Sequence, residues 1–214
     1  MNFPFTTEQF LDVFKVYNLT VWPAQIFLLI LALMAIFLAI YRTRYSDAVI
    51  ALTLAFYWLW IGIVYHLLFF TKINTAAYGF AALFVIQSIL FFYLGFIKHS
   101  LQFKYSHNTN GIIAIVLFLY ALIFYPLLGY YFGHYYPATP TFGLPCPTTI
   151  FTLGMLLLLE GKIRKGLFII PVLWSIIGFT AAIKLGILQD IGLLVAAVLT
   201  VAVLVFGRTN KRDA

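Results

Sequence analysis

The sequence predicts an all-α fold, a polytopic bundle of transmembrane helices, and three observations carry that prediction. Hydrophobic residues fill 64% of the 214 positions and charged residues only 9%, against about 25% charged in a soluble domain. Apolar runs of spanning length recur along the chain, and the basic residues gather in the short segments between them. With a mean hydropathy of +1.04, such a chain does not have enough polar surface to face water. The net charge of +7 therefore marks orientation in a bilayer, not a phosphate-binding face, and nucleic acid is not an expected partner.

The elements follow in chain order, within a single integral membrane domain over 1–214. Residues 6–17 open with Thr6 and Gln9 in capping-box spacing. Phe10, Leu11, Phe14 and Tyr17 then recur at helical spacing opposite Glu8, Asp12 and Lys15. This reads as a short amphipathic helix lying in the interface. The acidic residues and the lack of a basic leading region argue against a cleaved secretory signal, so the segment is expected to be retained. A spanning helix needs about 20 apolar residues. Runs at 19–41, 48–70, 76–97 and 111–132 meet that length, and 167–187 and 191–206 complete the set after a shorter run at 148–159. The short run follows Pro137, Pro140, Pro145 and Pro147, which remove donors and fix φ. It is either a partial span or the continuation of a loop that dips into the membrane. No repeat of 20–50 residues is visible, and seven spans do not halve into an inverted repeat.

Seven spans place ten basic residues on one side: Arg42, Arg44, Lys98, Lys104, Lys162, Arg164, Lys165, Arg208, Lys211 and Arg212. The other side holds Lys15, Lys72 and Lys184. The richer side is cytoplasmic, so the amino end is expected outside and the carboxyl end inside. If 148–159 did not cross, the balance would turn to eight outside and five inside, the reverse of the rule. Trp22, Tyr130, Tyr131, Tyr135 and Tyr136 then fall at the outer boundary, and Tyr41, Tyr45 and Tyr105 at the inner one, where amphipathic rings belong.

The uncharged stretch 133–151 is the most unusual part of the chain. A loop of this length and proline content can fold into the bundle and line a pocket, or can simply end the fourth helix. Thr148 and Thr149 would offer hydroxyls and free N–H groups at a helix N-terminus, an anion-binding arrangement. Cys146, the single cysteine, excludes an intrachain disulfide and a CxxC motif. It is either a nucleophile or soft-metal ligand, or a small buried filler. Trp58, Gly62 and His66 share a helix face. His66, His134 and Cys146 fall at one membrane level and are weak candidates for a metal, although no metal or other cofactor is expected. Lys72 and Lys184 sit at helix ends where they can snorkel, and the last span has no lysine to carry retinal. Gln87, the most polar mid-span residue, needs a partner on another helix. No carboxylate occupies a mid-span position, which argues against a relay or pump built on buried acids. Gly129-xxx-Gly133 and Ala77-xxx-Ala81 are packing signals.

Several stretches together resemble a bacterial family of multi-pass membrane proteins catalogued as a domain of unknown function. They are the opening Pro4-Phe5-Thr6-Thr7-Glu8-Gln9-Phe10, Asn18 with Val21-Trp22-Pro23-Ala24-Gln25, Tyr65-His66 with Phe69-Phe70 and Ile73-Asn74, and the run Pro140 to Phe151. The resemblance covers the whole chain, and Pro145-Cys146-Pro147-Thr148-Thr149 is its most specific part. It implies a bacterial inner-membrane location, and some similar proteins carry a loose permease label. It implies no catalytic or ligand residues.

The function expected from these residues is a small-solute transporter or channel-like permease with a periplasm-facing pocket. Trp22, Gln25, His66, Asn74, His134, Thr141, Cys146, Thr148 and Thr149 are its expected lining. The alternatives are a thiol-dependent or metal/redox membrane enzyme and an accessory or sensor subunit. No catalytic set is legible. Expected partners are the lipid bilayer, a small solute and further copies of the chain.

Overall fold

The computed structural model describes residues 4–161 and 164–206. Lys162, Arg208, Lys211 and Arg212 of the charge count lie outside the described residues. The regular structure of the described residues is all helical, with no strand and two isolated bridges among them. The helices are α1 Thr7–Thr20, α2 Ala24–Ile40, α3 Ser46–Lys72, α4 Ala77–Ile97, α5 Thr109–Tyr131, α6 Pro145–Leu157, α7 Gly166–Leu185 and α8 Ile191–Phe206. α3, α4, α5, α7 and α8 with its preceding turn are long and apolar enough to cross a membrane. α1 and α2 add a sixth candidate only as a pair bent by 85°. The remaining run, α6, has 13 residues.

The expected run 19–41 thus divides. Leu19 belongs to α1, and the chain turns at 21–23 before α2 starts. The Thr6–Gln9 capping box forms, and α1 buries Val13, Phe14, Tyr17 and Asn18 while Glu8, Asp12 and Lys15 stay exposed. Lying across the axis of α2, α1 has the posture of an interfacial helix beside a span. Trp22 is 58% exposed at the corner.

α6 is enclosed. Every residue of it except Cys146 is buried, among α5, α7 and α8. A helix of 13 residues reaches only about 20 Å. It is extended by Leu158–Glu160, which pairs with the 102–104 segment: Lys104 donates to Leu158 O at 3.0 Å and Glu160 N donates to Gln102 O at 2.9 Å. That segment holds the far ends of other helices as well, since Tyr105 N donates to Ala39 O at 2.9 Å and Phe103 N to the Asp47 carboxylate at 2.7 Å. The opposite end of α6 begins where Tyr17 reaches Gly143 O. The helix and its tail therefore connect the two ends of the bundle.

Several buried polar groups find partners across helices. Pro171 in α7 cannot donate to the carbonyl of Leu167, and Gln87 of α4 donates to that carbonyl at 3.0 Å. Ser88 of α4 donates to Ala55 O at 2.7 Å. Ala77 and Ala81 are buried, and a Cβ on Gly62 would lie 3.2 Å from Ala81 O and from Phe84 Cβ. Helices α3 and α4 therefore touch through backbone, as small residues allow. Gly129 is a close-approach position facing Thr139 and Gln189, whereas Gly133 is not a packing residue. Its φ of 85° ends α5, with His134 N on Gly129 O and Gly133 N on Tyr130 O, the paired bonds of a Schellman cap.

Candidate functional site

One end of the bundle gathers the start of the chain, the α3–α4 corner, the loop after α5 and the α7–α8 turn around a cavity of about 110 Å³. Seven of its walls are aromatic: Phe5, Phe10, Phe14, Tyr65, Phe70, Phe80 and Trp174. The polar contributions come from Asn74, Cys146, Thr180 and Asp190.

The aromatic wall is built by ring-on-ring packing. Phe10 meets Phe14 at 4.7 Å and Phe70 at 5.7 Å, and Tyr65 stacks on Phe70 at 5.6 Å. Trp174 stands edge-on to Phe80 at 5.3 Å. Local backbone geometry helps to aim these rings. Residues 61–69 of α3 form a π-helix, and so do 120–124 of α5. Wide turns of this kind redirect the side chains that follow and recur at functional sites. The first carries Tyr65 and His66; the second lies just before Tyr125.

Asp190 is 4% exposed. The Tyr125 hydroxyl donates to its carboxylate, and the Cys146 thiol is its other hydrogen-bonding neighbour. Among the described residues no lysine, arginine or histidine pairs with it; the ion pairs there are Arg42–Asp47 and Lys104–Glu160, at the far end. A buried carboxylate with neutral neighbours is costly unless something cationic arrives. Trp174 is 7% exposed, and its indole N–H, a neighbour of the Cys146 thiol, makes no well-formed hydrogen bond. Gly178 draws these groups together: a Cβ there would lie 3.7 Å from Trp174 Nε1 and 3.8 Å from Cys146 Sγ.

Of the nine lining residues expected from sequence, Asn74 and Cys146 line this cavity. His66 is fully buried behind the wall, packed on Phe84 at 4.8 Å and Trp174 at 5.2 Å, with neither ring nitrogen bonded. Its shared face with Trp58 and Gly62 is real, because all three meet Phe84. Gln25 and Thr141 instead serve a latch centred on buried Asn18. Asn18 donates to Pro137 O at 2.7 Å and Thr139 O at 2.8 Å. It accepts from Thr141 at 2.7 Å, and its backbone carbonyl accepts from Gln25 at 2.9 Å. Thr148 accepts from Gly143 N at 3.1 Å, while the Thr149 hydroxyl is buried without a partner. Trp22 faces outward and His134 lies in the loop, away from the cavity.

The anion-binding arrangement at the start of α6 does not form. Pro145 and Pro147 have no N–H, and Thr148 N is taken by Leu144 O, so few free donors remain. A carboxylate beside Cys146 disfavours an anion further. His66, His134 and Cys146 do not converge either: no three histidine, cysteine or acidic residues among the described ones form a metal-holding group. Lys72 and Lys184 are exposed, Lys72 over the Phe69 ring at 5.3 Å.

Asp190 is a cavity residue absent from the expected lining, because it falls between the last two expected spans, 167–187 and 191–206. Its signal was that the final apolar run reads straight through it, since Leu188–Val205 qualifies as a spanning helix with Asp190 inside. The expectation about carboxylates concerns mid-span positions; Asp190 lies at the end of the last span and is nonetheless buried. No curated protein and no solved structure matches the chain. The profile of one family matches residues 7–214, nearly the full length, and the chain accordingly belongs to that family of unknown function, DUF6064.

Proposed function

We propose that this protein is a small-solute permease of a bacterial cytoplasmic membrane. In this reading the chain crosses seven times, with α6 and its extended tail as the fifth crossing, and the cavity opens on the periplasmic side with the amino end. The helix and tail together reach about 30 Å, which supports counting them as a crossing. The single observation that carries the functional reading is the pairing of a recessed, aromatic cavity with two buried polar side chains on its wall, Asp190 and Trp174. Apolar walls with a few convergent polar groups are the usual form of a small-molecule site, and an ionisable residue inside a membrane bundle is costly enough to point to a ligand path. The solute reading is favoured over the metal/redox one because the histidines stand apart from the thiol.

The test is the small-molecule content of gently purified protein, compared with that of Ala181→Trp, which fills the cavity. The expected result is a solute retained by the parent and missing from the variant, with both folded by circular dichroism and size exclusion. A filled variant that retains the same solutes would refute the cavity as the site.

A further inference from the structure

Resting on the reading of the cavity as a solute site, the geometry points to its ligand class: the cavity takes an organic ammonium group, with Asp190 as counter-ion and the rings of Tyr65, Phe80 and Trp174 as its walls. Three observations lead there. Asp190 is buried beside neutral groups, with no cationic side chain paired to it among the described residues. Water serves its charged form poorly in a cavity this apolar, and a bound cation would offset that charge. The walls are largely aromatic rings, and ring faces attract a desolvated cation through their quadrupole. A metal ion fits poorly, because no group of three histidine, cysteine or acidic residues forms among the described residues and hard cations need several oxygens. An ammonium carrying methyl or methylene groups satisfies both features at once, its charge on the carboxylate and its carbon shell on the rings.

An ammonium reaches this position either as a free solute or as a lipid headgroup. Helix α1 supplies Phe10 and Phe14 to the wall, and an interfacial helix would lie at the level where headgroups sit.

The experiment uses the full chain, purified and stripped of lipid in detergent. Binding of choline is compared with that of 3,3-dimethylbutan-1-ol, the same shape without the charge. Choline is expected to bind and to raise the melting temperature, and the uncharged alcohol is not. Asp190→Asn keeps an acceptor for Tyr125 and should weaken choline by about tenfold or more. Trp174→Leu should weaken it too, while Trp174→Phe, which retains an aromatic face, should largely preserve it. Phosphatidylethanolamine in mixed micelles that competes with choline where phosphatidylglycerol does not identifies a headgroup as the source; equal indifference to both lipids identifies a free solute. Equal binding of the two isosteres, or choline affinity unchanged in Asp190→Asn, would overturn the ammonium inference. A neutral or anionic solute lost only from Ala181→Trp would do so as well, while leaving the permease reading standing.

Discussion

Gln87 shows how a single side chain in lipid is accounted for by a defect elsewhere. Pro171 leaves the Leu167 carbonyl without its helical donor, and the Gln87 amide supplies one from the neighbouring helix. Removing it in Gln87→Leu should cost about 1–3 kcal/mol, the price of an orphaned buried carbonyl. In a Pro171→Ala background the helix can donate to Leu167 itself, so the same change should cost clearly less. A double-mutant cycle from reversible unfolding in mixed micelles measures the difference, and additive effects would contradict the pairing. Asp190 also has a partner on another helix, Tyr125, but no cation among the described residues balances its carboxylate, which is why it is read as functional.

At the scale of elements, two joints position the cavity. The α3–α4 contact depends on Gly62, where an added Cβ meets the backbone oxygen of Ala81 and Phe84 Cβ, each at 3.2 Å. A backbone atom cannot rotate away, so Gly62→Ala should destabilise the protein by about 1–3 kcal/mol, read as a lower melting temperature. The second joint is the latch at Asn18, which ties the α1–α2 corner to residues 137–141. Asn18→Leu leaves two loop carbonyls and the Thr141 hydroxyl unpaired. Hydrogen exchange should then rise in α1 and in 137–143, with the α3–α4 pair unaffected. Protection unchanged in the loop would show that the latch is not what holds it.

For the whole molecule, the decisive matter is which side each end of the bundle faces. The far end carries Arg42, Arg44 and Lys104 near Phe103, and the cavity end carries exposed Tyr130, Tyr131, Tyr135 and Tyr136. The charge rule assigns the first to the cytoplasm. In a Cys146→Ser background, a membrane-impermeant thiol reagent on intact cells should label Tyr135→Cys. It should spare Tyr45→Cys and Arg164→Cys until the cells are opened. Labelling of Tyr135→Cys and Arg164→Cys from the same side would remove α6 as a crossing.

The amino-acid sequence by itself determined that the chain is helical with several helices apolar and long enough to cross a membrane, where most helices begin and end, and that the first helix is capped and amphipathic. Apolar period, run length and capping residues are local signals, and in lipid the backbone must satisfy itself within each segment. Asn74 and Cys146 were legible as cavity residues because they flank spans at one end. Only the tertiary structure decided that Gln25 and Thr141 belong to the Asn18 latch, that His66 packs behind a ring wall, and that Asp190 turns inward to Tyr125 and Cys146. Those roles depend on distances between residues tens of positions apart, set by how wide helical turns and a short buried helix rotate facing side chains, and no local pattern encodes them.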